Sequence, residues 1–207
     1  MSSQKRKYEL NVRAERQKET RRRIVEAATA LHQEVGPART TVAEIARRAG
    51  VQRLTVYNHF PEEGELFAAC QGRFLAQLPL PDFGPAFAHE DPRERVRAVL
   101  RLLYESYRAR EPMTVKLLRD RGGMPALDAL MEQTVDAPLG QLASELAAPF
   151  RARGGRAQRL QTVLALSLDF WTWQRLKREG LDDAAAAELM AELVAAATSA
   201  HSIPLRR

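Results

Sequence analysis

The stretch AGVQRLTVYNHFP, residues 49–61, decides the fold. Gly50 supplies a left-handed stop, a conformation that a residue without a Cβ adopts at little cost. Gln52 to Phe60 then reads as a short helix, with Val56 and Phe60 four residues apart on one side. Pro61 cannot continue that helix but suits the first turn of another. Just upstream, Thr41-Val42-Ala43-Glu44 has the form of a capping box. In it the Thr41 hydroxyl and the Glu44 side chain are expected to satisfy each other's free backbone amides. A helix over 42–49 follows, buried through Val42, Ile45, Ala46 and Ala49. Two short helices joined by the tight turn Gly50-Val51-Gln52 make a helix-turn-helix.

The apolar set supports this arrangement. Ile45, Ala46 and Ala49, with Val51, Val56 and Phe60, can close a small core against Ile24, Ala28 and Leu31 of a first helix over about 18–34. With Val56 and Phe60 turned inward, Gln52, Arg53, Thr55 and Asn58 face outward with parts of Tyr57 and His59. Arg53 can bridge guanine O6 and N7, and Asn58 can bridge adenine N6 and N7. Thr55, Tyr57 and His59 can bond phosphate oxygens, which position a protein without specifying sequence. Leu54 can touch a thymine methyl if it faces the groove. The competing reading is a helix pair with an ordinary polar outer face.

Charge placement favours the nucleic-acid reading. Residues 1–23 hold nine Lys or Arg against three acids, whereas the rest of the chain has 23 of each. A basic arm over residues 1–17 on a neutral body points to a polyanionic partner. That arm contains no Gly or Pro, so it can extend the first helix or remain a flexible segment. The chain has a single cysteine, Cys70, and no apolar run long enough to span a membrane. With a charged start rather than an apolar leader, these features point to the cytoplasm and away from a membrane.

Beyond residue 61 the chain continues to read as all-α. A fourth helix runs to about Leu78, with Glu62 and Glu63 at the positive end of its dipole. PLPDFGP, residues 79–85, is the clearest break. Helices are expected over about 92–110 and 112–120, after Pro125 with a kink at Pro138, over 156–179, and over 183–200 after the cap Asp182. The domain plan is thus an arm over 1–17, a helix-turn-helix domain over 18–65, and a helical regulatory and dimerisation domain over 66–207.

Residues 20–70 resemble the DNA-binding domain of the tetracycline-repressor (TetR) family. The resemblance rests on Arg23-Ile24-Val25-Glu26-Ala27-Ala28, Gly36, Thr40-Thr41-Val42, Ile45-Ala46, Ala49-Gly50-Val51 and Thr55-Val56-Tyr57-Asn58-His59-Phe60, ending at Leu66. It implies Arg53, Leu54, Thr55, Tyr57, Asn58 and His59 as DNA-facing positions, with Thr40 and Thr41 near the phosphates. It also implies a homodimer on a pseudo-palindromic double-stranded operator, a variable helical ligand-binding domain, and a repressor released by a small molecule. Two residues depart from the pattern. Leu54 stands where the family often has a small residue, and Glu63 stands where it commonly has a phosphate-binding Lys.

The rest of the chain is less specific. Tyr104, Tyr107, Met113, Met124, Met131, Phe170 and Trp171, with Asp169 and Arg119 as polar anchors, are the residues suited to line a pocket. Each of them also suits an ordinary core. The last two helices are rich in Leu, Trp and small Ala residues. Trp173, Leu189, Leu193 and Val194 are expected at a dimer interface. The four His are scattered, and no phosphate loop or nucleophile motif is present, so neither a metal, a cofactor nor an enzyme is indicated. Two other readings stay open: a ligand-independent DNA-binding protein whose C-terminal domain binds another protein, and an all-α interaction module.

Overall fold

A computed structural model describes residues 2–198, without the side chains of residues 2–7 and of residue 9. The expected end of the last helix at residue 200 lies outside the described residues. Every regular element among those described is helical. The chain separates into two compact units. One comprises the chain up to Pro79 together with Arg110–Met131, and the other Leu80–Ala109 together with the chain from Glu132 onward.

In the first unit, α1 (Ser2–Val35), α2 (Val42–Ala49), α3 (Arg53–His59), α4 (Glu63–Gln77) and α7 (Pro125–Met131) surround two apolar cores. One core joins Ile24, Ala28 and Leu31 to Ile45, Ala46, Ala49, Val56 and Phe60, as the spacing predicted, and adds Leu66 and Cys70 from α4. Helices as short as α2 and α3 are unstable alone. Burial of side chains such as Ile45 and Val56, worth roughly 1.5–3 kcal/mol each, holds them. The other core packs Phe67 of α4 against Leu127 and Met131 of α7.

The helix expected over 18–34 begins far earlier. α1 is continuous from Ser2, so the basic segment is helical rather than a separate arm. At its other end Gly36 has φ 94° and ψ 160°, and a one-turn helix Pro37–Arg39 leads into α2. That junction is held by the C-terminal end of α6 (Pro92–Asp120). The Asp120 carboxylate accepts from the Ala38 N–H at 3.0 Å. Arg119 pairs with Asp120 at 2.6 Å and donates to the Val35 carbonyl, while Lys116 donates to the Gln33 carbonyl at 2.7 Å. Arg119, expected as a pocket anchor, serves this junction instead.

α6 also corrects the expected break near residue 111, because Pro112 lies inside one 29-residue helix. Proline costs a helix interior a hydrogen bond and a steric clash. Here Pro112 is exposed, and the helix is anchored on both sides of it. Arg110 donates to the carbonyls of Leu78 and Pro79, and Met113 is buried.

In the second unit, α5 (Gly84–Phe87) is a single turn within the expected loop. α8 (Ala137–Ala147), α10 (Phe170–Arg178) and α11 (Asp183–Thr198) pack on α9 (Gly155–Leu168), and the first part of α6 bonds to α9 through Tyr104 and Tyr107 and to α11 through Arg97 and Arg108. The expected kink near Pro138 takes the form of a π-helical turn over Glu132–Asp136. The expected single helix over 156–179 is divided at Asp169. This residue is extended, at φ −75° and ψ 135°, and its carboxylate accepts from the Thr172 N–H at 2.7 Å. Asp182 caps α11 as expected, accepting from the Ala185 N–H at 2.8 Å.

Candidate nucleic-acid interface

The reader is assembled from three local choices. Thr41 caps α2, its hydroxyl accepting from the Glu44 N–H at 3.2 Å. The other half of the expected capping box differs, because the Glu44 carboxylate pairs with Arg47 instead. Gly50 then ends α2 in the left-handed conformation, at φ 65°. The Val51 N–H donates to the Ala46 carbonyl at 3.0 Å, which closes the turn. Finally, Val56 and Phe60, 1% and 4% exposed, fix the rotation of α3 about its axis.

With that rotation fixed, Arg53, Leu54, Tyr57 and Asn58 are exposed, Thr55 and His59 are half-buried, and Gln52 is the exposed N-cap. Leu54 is 66% exposed. Thr40 is half-buried and its hydroxyl donates to the Gly36 carbonyl at 2.9 Å, whereas Thr41 is exposed. Ala14, Gln17, Lys18 and Arg21 of α1 line one open groove with Thr55, Asn58 and His59 of α3. The Arg21 guanidinium lies over the Phe60 ring, 4.5 Å from its centre. Periodicity from residue 18 onward did not reveal this shared groove; the lack of any helix breaker in residues 1–17 was the available signal. Glu63 is exposed in the first turn of α4, and it places negative charge beside the reader's C-terminal end.

The residues expected to line a pocket are shared between the two units. Met113, Met124 and Met131 belong to the first unit, and Tyr104, Tyr107, Phe170 and Trp171 to the second. Within the second unit the aromatic residues have structural tasks. Dividing α9 from α10 removes helical partners from the last carbonyls of α9. The Tyr104 hydroxyl donates to the Ser167 carbonyl at 2.8 Å, and the Tyr107 hydroxyl to the Leu168 carbonyl at 2.6 Å. Burial pushes both phenols well above their ordinary range, and the Asp169 charge adds to the shift. The Tyr107, Phe170 and Trp173 rings pack against one another, with centres 5.4–5.8 Å apart. Trp171 stacks edge-on against Phe170 and stays 44% exposed.

The residues expected at a dimer interface divide in the same way. Trp173 and Val194, at 1% and 0% exposure, are enclosed by their own chain and present no surface to a partner. The Trp173 indole N–H donates to Asp183. Leu189 and Leu193 remain exposed four residues apart on α11, and Leu166 on α9 is also exposed. Cys70 is buried, and burial pushes its thiol up to about 11. Among the described residues no cluster of three or more His, Cys, Asp or Glu is placed to hold a metal ion. No helix among them is long and apolar enough to cross a membrane.

A capped helix, a left-handed glycine turn and an exposed second helix define a helix-turn-helix protein of the DNA-binding class. Comparison with known proteins agrees. Residues 24–70 match the family model described as bacterial regulatory proteins, tetR family, so this segment is similar to the DNA-binding part of that family. The HTH-type transcriptional regulator TtgR of Pseudomonas putida is 47% identical over 55 residues, covering 27% of this chain and 26% of that protein. An uncharacterized HTH-type transcriptional regulator of Mycobacterium tuberculosis is 45% identical over 56 residues, covering 27% and 30%. The chain thus matches roughly a quarter of the length of these curated relatives. The fold extends further. A TetR-like transcriptional regulator from Rhodococcus sp. RHA1 superposes with a TM-score of 0.59 at 19% identity, over 84% of this chain and 93% of that one. RolR, solved in complex with the ligand resorcinol, superposes with a TM-score of 0.51 at 19% identity, over 94% and 98%.

Proposed function

We propose that this chain is a dimeric, sequence-specific DNA-binding transcriptional regulator, a repressor released when a small molecule binds its second unit. The observation that carries the reading is the outward face of α3. Arg53, Leu54, Tyr57 and Asn58 are exposed there because Val56 and Phe60 are buried behind them. In this reading Arg53 and Asn58 contact base edges in the major groove. Gln52, Thr55, Tyr57 and His59 take neighbouring base or phosphate contacts, and Thr40 and Thr41 approach the backbone. The protein acts in the cytoplasm by binding rather than by catalysis.

Dimerisation is proposed through the exposed Leu166, Leu189 and Leu193. A two-fold pair would present two copies of α3 to a pseudo-palindrome with half-sites about 34 Å apart or more. The ligand site is proposed beside Tyr107, Phe170 and Trp171 in the second unit. Support for a ligand comes from the resorcinol complex of RolR, a protein of the same fold. Release then requires that the ligand bind more tightly to a conformation whose two α3 helices no longer match the half-sites.

A second reading keeps the DNA interface but replaces the ligand with a protein bound to the second unit. It is favoured by the aromatic cluster there, whose rings fill space against one another and whose Tyr104 and Tyr107 hydroxyls are already engaged. Mobility-shift assays on duplexes that the chain selects from a random pool test the DNA reading. Specific binding that weakens between about 50 and 200 mM salt supports it, and no selection at low salt rejects it. A thermal-shift screen with small aromatic compounds then separates the two readings: a stabilising compound that also weakens DNA binding supports the first.

A further inference from the structure

The first half of α1 serves no core. Every described side chain from Tyr8 to Arg23 is exposed or half-buried, and Ile24 is the first buried residue. A helix whose side chains, the apolar Tyr8 and Leu10 included, enter no core is marginal without a partner. The ion pairs within it, Lys18–Glu15 and Arg22–Glu19, are exposed and contribute little. Its C-terminal part adjoins the reader, because Gln17, Lys18 and Arg21 share a groove with Thr55 and Asn58. The segment is strongly cationic, with nine basic and three acidic residues over 1–23, on an otherwise neutral chain.

We infer that residues 2–18 of α1 form a second DNA contact, independent of base sequence, along the phosphates flanking the segment that α3 reads. The inference rests on the DNA-reading function proposed above. Its basis is charge complementarity together with continuity: the cationic helix adjoins the reading face and is otherwise unsupported. Seventeen residues at about 1.5 Å each reach about 25 Å, or roughly seven base pairs of one strand at 3.4 Å. This contact would also offset the repulsion between phosphate and Glu63, which is exposed in the first turn of α4.

The test uses the full chain, the double variant R13Q/K18Q, and a chain lacking residues 2–12. Arg13 and Lys18 are exposed, and the core begins only at Ile24, so folding should survive; circular dichroism checks this. Duplexes selected by the full chain are used either trimmed to the selected segment or carrying ten more base pairs on each side. The full chain should bind the flanked duplex more tightly, and both variants should lose that gain. In R13Q/K18Q the log–log salt slope should fall by up to about 1.8 per protomer. The affinity ratio between 50 and 200 mM salt then shrinks up to about 12-fold per protomer, with base preference unchanged. Unchanged slopes, or no gain from the flanks, overturn the inference and leave the role of α3 intact. If the full chain selects no sequence, the DNA reading itself fails and this inference falls with it.

Discussion

Gly36→Ala tests how the reader is held at its entry. Gly36 sits at φ 94° and ψ 160°, a region that essentially only glycine occupies. Forcing another residue into it costs roughly 1–3 kcal/mol. A Cβ at this position would also lie 2.4 Å from Arg119 Nη2 and 2.6 Å from Asp120 Oδ2. Asp120 is buried, so relieving that overlap disturbs its bond from the Ala38 N–H and its pairing with Arg119. Losing a bond to a charged group of this kind costs about 1.5–3 kcal/mol. The two contributions together come to about 4 kcal/mol, which corresponds to a Tm lowered by roughly 10 °C in a chain of this size. Urea unfolding followed by circular dichroism measures the change. In an Asp120→Ala background the carboxylate overlap is gone and Arg119, no longer paired with it, can swing clear of the added Cβ, so the same substitution should cost only about 1–3 kcal/mol. A cost below about 0.5 kcal/mol, or an equal cost in both backgrounds, would refute the reasoning.

Other outcomes follow from the same geometry. Burial holds the His32 imidazole down to about 4, outweighing the nearby Asp120 carboxylate, whereas the unfolded chain protonates near 6.5. The unfolded state therefore binds the extra proton first. Stability should fall by about 2 kcal/mol between pH 6.5 and 5, and His32→Gln should largely remove that slope in urea titrations. Asp120, held below its ordinary range chiefly by Arg119, should contribute fully near neutral pH and add a pH slope only under more acid conditions, its contribution being lost as pH falls through its folded pKa. Leu189→Glu with Leu193→Glu should convert a dimer to monomers in sedimentation while keeping the helical signal; an unchanged dimer would place the interface elsewhere. Glu63→Lys should steepen the salt dependence of DNA binding by up to about 0.9 per protomer for a gained phosphate contact. An unaltered slope would mean that no phosphate comes near this position.

The reader was legible because each of its determinants is local. Thr41 caps, Gly50 turns left-handed, and Val56 and Phe60 mark the buried side, all within twenty residues. The second unit was harder to read, for physical reasons. Pro112 suggested a helix end, but Arg110 and Met113 anchor α6 on either side of it, through contacts distant in sequence. Asp169 lay in an apolar run that read as one helix, and its capping bond to Thr172 divides it. Tyr104 and Tyr107 looked like pocket residues. Their hydroxyls instead satisfy the carbonyls that this division leaves open. Trp173 and Val194 illustrate a further limit: periodicity identifies an apolar side chain but does not say whether its own chain or a partner covers it. The clasp of Asp120 on Ala38, 82 residues apart, had no sequence signature.

The central claim is that α3 reads base sequence through side chains that Val56 and Phe60 turn outward. It is tested most directly by comparing Asn58→Ala with Tyr57→Ala on the selected duplex and on a panel of single-base-pair changes within it. Asn58→Ala should lose about 1–3 kcal/mol on the selected duplex and relax preference at one base pair, while Tyr57→Ala should weaken binding evenly across the panel. Equal losses for both variants on every duplex would contradict the account.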